Sequence, residues 1–511
     1  MKDLIKILSA VLLVTAINAC TLQEVPDPTN GGGAITITAQ TVQEQDVTNT
    51  PGTKTTLSGV ETHWKGVDSY PGNPDKIGIF SPQARTTEGG SNAVKNAEFT
   101  AQTSAKSSNF TGTMFWGADG NHDFYAYYPR NPGFSGERTE VPISLASAQS
   151  QSAAGNTDHI GALDYMVATP LTVARGGAVN FTFNHVFSIM EFQITGSGSL
   201  SAVRLTGTNA LACTGTIDLI QTPGVDDIAY TIAQTSTSQT VTVTLGSAAS
   251  LSTTTAVSVF MMILPGTQSG DITIELEIGG SWKSMTKTPP AGGFVRGKKY
   301  NIAVLHDSRD GNLYSYKTIG TQVWMTENLA YLPSVVGPGT GSNSTAYYYV
   351  YGYDGTDVDA AKATSNYTTY GVLYNWPAAM SGAASSSADP SGVQGICPTG
   401  WHLPSDVEWT TLSDNLGGEY EAGGKMKETG TSHWTSPNTG ATNESGFTAL
   451  PGGYRNGDGA FGNIGIIGLW WSSTEYLTDT AWGRGLYYLD SGVGRANGNK
   501  GGGFSVRCLR D

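Results

Sequence analysis

Between Ile35 and about Leu305, apolar residues recur at every second position. The stretch "DITIELEI" puts Ile272, Ile274, Leu276 and Ile278 on one face. "TVTVTL" does the same with Val241, Val243 and Leu245, and "AVNFTFNHVFSIMEFQIT" alternates through Val179, Phe181 and Phe183. Successive strand side chains point to opposite faces, so a period of two broken by turn residues predicts half-buried strands. Little in this span reads as helix, and antiparallel sandwiches are its natural architecture. The span is long for one sandwich and comfortable for two. The expected domains are 35–170 and 171–305, with the boundary near 165–178.

A chain of 511 residues has room for about three domains, each with its own core. Charged residues are only 14% and glycine numbers 66, the composition of an extracellular β-rich protein. A net charge of −14 argues against nucleic acid or an anionic lipid surface as partner.

The start, "MKDLIKILSAVLLVTAINAC", has basic Lys2 and Lys6 and an apolar run at 7–17 too short to span a bilayer comfortably. It ends in Asn18-Ala19-Cys20 and resembles the lipobox of bacterial lipoproteins. The resemblance implies removal of 1–19 and acylation of Cys20, with an ordinary signal peptide as the alternative. Residues 20–34 then form a lipidated tether rich in Pro, Asn and Gly. The expected location is a lipid-anchored precursor at the outer membrane that reaches the cell surface or fimbrium. No later stretch is apolar enough to cross a membrane. Cys213 reads as a small buried hydrophobe. Cys397 and Cys508 bracket much of the last domain, and export permits a disulfide between them; two free thiols are the alternative.

Phrases in the first part carry a family resemblance. "TKTTLSGVETHWKGVDSYPGNPDKIGIFS", "FWGADGNHDFYAYYP", "LDYMVATP" and "VNFTFNHVFSIMEFQI" are similar, in order and spacing, to the fimbrillin-like lipoprotein pilins. Trp64, Ile77, Ile79 and Phe80 are expected to seat one strand pair, and Phe124, Tyr125 and Tyr127 another. The resemblance implies a two-sandwich subunit that polymerises with other pilin subunits by strand insertion after proteolysis frees an N-terminal strand. Lys54 in "GTKTT" is one candidate cleavage site.

Composition shifts at "HDSRDGNLYSYKTIGTQVWMTENLAYL". Three of the 11 tryptophans (Trp64, Trp116, Trp282) precede this point and the rest follow it. "DGNLYSYKTIGTQVWMTENL", "YGVLYNWPAAM", "GICPTGWHLPSDVEWTTLSDNLGG", the long run from Gly423 to Tyr476, and "GFSVRC" resemble the Fibrobacter succinogenes major paralogous family. The resemblance covers nearly all of 310–511. It implies a C-type-lectin-like α+β fold over 306–511, in which Cys397 and Cys508 tie the ends together. The whole chain is thus expected to be mainly β: two antiparallel β-sandwiches followed by this head. Within the head, Ser405 and Glu408 predict a capping box, Trp409, Leu412 and Leu416 share a helix face, and Gly417 is the expected stop. After Gly423, turn and strand are expected.

No motif for catalysis emerges. There is no zincin sequence, no Cys-x-x-Cys, no G-x-S-x-G and no phosphate-binding Gly-Lys-Ser/Thr. His402 and His433 each adjoin a Trp and read as structural. Asp354, Asp357 and Asp359 offer oxygen ligands without EF-hand spacing, so a solvated loop is the competing reading. Glu475 follows "WWSST" where sugar-binding lectins often carry calcium ligands, but "SPN" at 436–438 does not supply their partner motif. No enzyme, metal or cofactor is expected.

The functional expectation is a pilus tip adhesin with a lectin-like head that binds a glycan or protein ligand. The alternative is a non-polymerising outer-membrane lipoprotein that captures the same classes of ligand. The tip position rests on a head following the sandwiches where stalk subunits end in their donor strand. The expected ligand surface lies in "AWGRGLYYLDSGVGRANGNKGGGFSVRC". Trp482, Arg484, Val493, Arg495, Phe504 and Cys508 keep the frame. Gly483, Gly485, Tyr487, Leu489, Asp490, Gly492, Gly494, Ala496, Gly498, Gly501 and Gly502 stand where the family tends to carry Asn or Tyr. Changing only the adenines of an Asn codon yields Gly, Asp, Ala, Leu or Tyr. The segment therefore resembles the variable region of a diversity-generating retroelement target, ordinary drift in a Gly-rich loop being the alternative.

Overall fold

Strands follow the alternation in the computed structural model, which describes residues 33–41, 45–46, 57–58, 61–118, 120–222 and 229–511. Cys20 and Lys54 lie outside these residues. Strand accounts for 42% and helix for 8%, so the protein is mainly β. Among the described residues, no helix is long and apolar enough to cross a membrane.

The first body is a sheet that closes on itself. Its order runs Met166–Ala168, Val179–His185, Ile37–Thr41, Ser107–Gly112, Ala93–Ala101, Lys76–Arg85, Asn121–Tyr128. Met166–Ala168 then pairs back onto Asn121–Tyr128, which closes the sheet. Trp64 fills its centre, fully buried, with ring centroids 5.1, 5.5 and 5.3 Å from Phe110, Tyr128 and Phe183. Its Nε1 donates to the Ala39 carbonyl at 3.2 Å. Ile37–Thr41 is paired on both edges, parallel to Val179–His185 and antiparallel to Ser107–Gly112.

The second body has two facing sheets. One runs Ala148–Gln151, Thr240–Ser250, Ser199–Thr206, Ile272–Ile278, Ser281–Lys287. The other is built on Val257–Ile263, Ser188–Gly196 and Lys298–His306. Val203, Val243 and Ile274 share one buried cluster with Ile189, Phe192 and Val304. Burial alternates residue by residue along Ile272–Ile278, as the sequence pattern requires.

The sheets do not divide at residue 170. Val141–Leu145 and Ala148–Gln151 pair into the second body. Leu171–Ala174 and Val179–His185 pair into the first. The chain crosses at Val186 and Phe187, both fully buried in the second core, while Phe181 and Phe183 belong to the first. Alternation reports which face a residue occupies and is silent about which sheet. Ile77 and Ile79 likewise enter the first core, but Phe80 and Tyr127 enter the second.

The second body's sheet continues into the head. Val304–His306 pairs with Leu313–Ser315, and the order then runs Gln322–Met325, Leu509–Arg510, Trp401–His402. Ion pairing of Lys287 with Glu327 adds to this junction. Elsewhere the head is mostly turns and loops. Helix Asp406–Asn415 starts at Ser405, whose hydroxyl accepts from the Glu408 amide at 3.1 Å while the Glu408 carboxylate accepts from the Ser405 amide at 2.8 Å. Trp409 and Leu412 are buried beneath it, and Gly417 stands just past its end at φ +101°. Two short helices, Val358–Lys362 and Ala422–Met426, occupy stretches expected as loop or turn. Asp357 caps the first of them, accepting from the Ala360 amide at 3.0 Å, which gives this aspartate a local structural task.

Cys397 and Cys508 are bonded, closing a separation of 111 residues. Cys508 directly precedes Leu509–Arg510, so the link ties that strand to the segment entering Trp401–His402. Chain-entropy reasoning assigns a loop of this size roughly 4–5 kcal/mol. Cys508→Ser should lower the thermal midpoint of the head, and peptide mapping without reductant should recover the linked pair. Two free thiols in native protein would remove the basis of this expectation.

Candidate ligand-binding site

Three antiparallel strands, Ile467–Leu477, Thr480–Tyr487 and Gly494–Asn499, form the part of the head that holds the expected ligand surface. One side of this ribbon faces helix Asp406–Asn415. There Arg484 and Arg495 converge on Asp406. Arg484 pairs with the Asp406 carboxylate through Nη1, and its Nη2 donates to the Asp406 carbonyl at 2.8 Å and to the Thr410 hydroxyl at 2.9 Å. Arg495 Nη2 donates to the same carboxylate at 2.7 Å, and its guanidinium lies 3.8 Å from the Trp482 ring. Burial works against charge on Asp406, but hydrogen bonds from Arg495 and Arg484 outweigh it and hold the carboxyl below its ordinary range. Arg484 and Arg495, two of the residues expected to keep the frame, thus fasten the ribbon to the helix.

The eleven expected ligand residues separate into three groups. Tyr487, Leu489, Asp490 and Gly494 are exposed; Gly485, Gly492, Ala496 and Gly498 are half-buried; Gly483, Gly501 and Gly502 are buried. A Cβ on Gly483 would come 2.6 Å from the Trp470 carbonyl oxygen. At Gly498 it would come 2.6 Å from the Phe504 ring, which stacks on Trp471 with centroids 4.1 Å apart. These glycines permit close approach of a neighbouring strand and an aromatic pair. A large side chain at Gly483 or Gly498 would therefore require the neighbouring strand or ring to shift. Gly492 is crowded by the Glu419 carbonyl at 2.9 Å, and Gly502 by the Asn499 and Arg455 carbonyls at 3.0 and 3.1 Å. At Gly494 the nearest atom is 3.5 Å away, an ordinary contact.

The exposed group has company that the sequence did not flag. Tyr420, 81% exposed, follows the end of helix Asp406–Asn415, and its carbonyl accepts from the Ser491 hydroxyl at 3.1 Å. Tyr487 and Leu489 are exposed as well, with Asp490 and Glu419 adding negative charge. At the other end of the ribbon Tyr476 and Leu477 are exposed, and Tyr476 packs on Trp482 with centroids 4.4 Å apart. No spacing rule marks Tyr420, because its place beside residue 491 is a tertiary fact. Lys427, beneath the exposed loop, was also not anticipated; burial pushes its ammonium down to about 8, Asp490 acting in the opposite direction.

Glu475 and the two histidines His402 and His433 are engaged in the fold. Glu475 accepts from Lys500 Nζ at 2.6 Å, and that ammonium also donates to the Thr478 carbonyl at 2.7 Å. Among the described residues, no group of three or more His, Cys, Asp or Glu side chains is placed to hold a metal ion. His433 pairs with Glu428 at 2.9 Å. Cys213 is buried, which pushes its thiol up to about 11. A cavity of about 670 Å³ lies at the junction of second body and head, lined by Met190, Phe294 and Ile302 on one side and Ser315, Tyr316 and Lys317 on the other. None of the expected ligand residues lines it.

His402 sits between two carboxylates, Glu408 at 2.8 Å and Asp511 at 2.7 Å. Burial disfavours its charged form, but hydrogen bonds and charge from Glu408 and Asp511 prevail, and its pKa is held above the ordinary value.

Residues 67–319 match the family model described as Fimbrillin-like. Residues 318–510 match the model of the Fibrobacter succinogenes major domain. The chain therefore carries two adjoining matches, one to the Fimbrillin-like model and one to the model of the Fibrobacter succinogenes major domain. A search of the curated proteins finds no match. Among solved structures, a candidate cell adhesion protein from Bacteroides ovatus is similar at 13% identity and a TM-score of 0.38, over 56% of this chain and 97% of that one. A second, from Bacteroides uniformis, is similar at 16% identity and a TM-score of 0.37, over 57% of this chain and 98% of that one. A fimbrial protein from Bacteroides ovatus is similar at 12% identity and a TM-score of 0.25, over 94% of this chain and 99% of that one.

Two outcomes follow from this geometry. Gly483→Asn and Gly498→Asn should each destabilise the head by roughly 1–3 kcal/mol, as overpacked sites do, whereas Gly494→Asn should stay within about 0.5 kcal/mol of the parent. Denaturant melts of the three variants check this, and equal tolerance at all three positions would contradict it. The raised pKa of His402 makes its contribution complete below about pH 6.5 and lost as pH rises through the folded-state value. Thermal melts across that range should therefore show a fall with rising pH that His402→Gln flattens.

Proposed function

We propose that this chain is a lipid-anchored fimbrial subunit of the cell surface that sits at a filament tip and presents a C-type-lectin-like head for adhesion. The observation that carries the reading is the contrast between two strands. Ile37–Thr41 lies between two neighbours in the first body, so its removal would open a slot with unpaired strand edges on both sides. Such a slot suits an incoming strand from another subunit. Leu509–Arg510 is paired on both edges inside the head, to Trp324 on one side and to Trp401 and His402 on the other. The subunit would accept a strand at one end and offer none from Leu509–Arg510.

The ligand surface in this reading is the exposed set Tyr487, Leu489, Asp490 and Gly494, joined by Tyr420. Half-buried Gly485 and Ala496 lie on the adjoining strands. Aromatic side chains on a held loop give large contact area at low entropy cost. Diversification by adenine-directed mutation would be useful at these positions and costly at Gly483 and Gly498. A near-copy of the codons for 481–508 beside a reverse transcriptase gene would support active diversification; a complete locus with neither would exclude it.

Immunogold labelling of sheared filaments tests the position. One label at a single terminus per filament is expected. Label along the shaft would refute a tip role, and protein confined to membrane fractions would favour the non-polymerising alternative. Cys20→Ala should abolish fatty-acid labelling and misplace the precursor, since acyl chains bind membranes by about 0.8 kcal/mol per buried CH₂.

A further inference from the structure

Lys427 follows helix Ala422–Met426 and is fully buried. Its ammonium donates to three main-chain carbonyls: Thr439 at 2.9 Å, Tyr487 at 3.0 Å and Asp490 at 2.7 Å. The Trp434 ring lies 5.4 Å from the same nitrogen. An ammonium carries three hydrogens and no acceptor, so three carbonyls use it completely. Two of the three belong to the exposed loop, at its first residue and at its tip.

Other ties to this loop are also made by main chain. The Tyr488 amide donates to the Ile466 carbonyl at 3.1 Å, and the Tyr488 carbonyl accepts from Thr439 at 2.8 Å. The Ser491 carbonyl accepts from Gly424 at 2.8 Å, and the Val493 amide donates to Glu419 at 2.6 Å. The side chains of Tyr487 and Leu489 take part in none of these bonds, whereas the Asp490 carboxylate accepts from the Gly492 amide at 2.9 Å. Every residue type at those positions would supply the same carbonyls.

We infer that Lys427 is a positioning residue that sets the main-chain shape of loop 487–493, so that the side chains at 487 and 489 can be exchanged without moving it. This rests on the reading of the loop as ligand surface. The test measures only the loop's main chain, so its failure leaves adhesion standing, and failure of adhesion leaves it standing.

The experiment is amide hydrogen exchange on the full chain. Lys427→Met keeps the apolar stem and removes the donors. The amides of Tyr488, Asp490 and Val493 should then exchange at least about tenfold faster, while helix Asp406–Asn415 stays within about twofold. Unchanged loop amides, or an equal rise throughout the head, would overturn the inference. A double variant, Tyr487→Ser with Leu489→Ser, keeps Lys427 and should leave the three amides within about twofold of the parent. Loss of their protection in the double variant would overturn it independently, which matters should Lys427→Met fail to fold.

Discussion

From Lys299 to His306 one strand pairs in parallel with Ile189–Gly196, and its last three residues pair on the opposite edge with Leu313–Ser315. The rest of the molecule is arranged around that double pairing. On one side it anchors the sheet that closes the second core. On the other it starts the sheet on which the head is built, through Gln322–Met325 to Leu509–Arg510 and Trp401–His402. Unpaired backbone groups are costly away from water, so a strand shared by two bodies joins them more firmly than a linker of similar length. Leu313 accordingly lies in the second body's core and Leu305 in the head's.

The head solves a different problem from the sandwich. It holds a loop-rich surface in place with few regular elements, and does so by burying polar side chains that bind main chain. Arg455 is buried and donates to the carbonyls of Pro338, Thr340, Asn456 and Gly501. Arg507, also buried, donates to the carbonyls of Phe447 and Thr448 and stacks 4.1 Å from the Phe447 ring. Burial pushes its guanidinium down to about 9. Charges in such places are tolerated because nearly every hydrogen finds an acceptor. The same device holds the exposed loop through Lys427, which makes the two ends of the site different in kind. Arg484 and Arg495 fasten the ribbon through a carboxylate, and Lys427 fastens the loop through carbonyls.

Much of this architecture was legible beforehand where one residue type has one local use. Ser405 and Glu408 marked a helix start because a hydroxyl and a carboxylate three residues apart satisfy each other's amides. Trp409 and Leu412 fell on its buried face, and alternation along Ile272–Ile278 marked its inner side. The candidate site was legible only in part. Its segment was found from the contrast of anchors and bland residues, but Gly483 and Gly498 looked equivalent to Gly494. They differ because a carbonyl of one strand and a ring from another approach the first two.

The amino-acid sequence by itself determined that the chain is mainly β, where strands run, where the composition changes to the head, and which residues cap the helix at 406. These follow from periodicity and local hydrogen bonding, which act over a few residues. Only the tertiary structure decided that 141–151 leaves the first body while 171–185 stays in it, that the first sheet closes, and that the second body's sheet runs on into the head. It alone brought Tyr420 beside residue 491, Lys427 beneath residues 487 and 490, and Arg495 onto Asp406. Those pairings join residues tens of positions apart or more, and each depends on which of several chemically equivalent edges, carbonyls or carboxylates is nearest once the chain is packed.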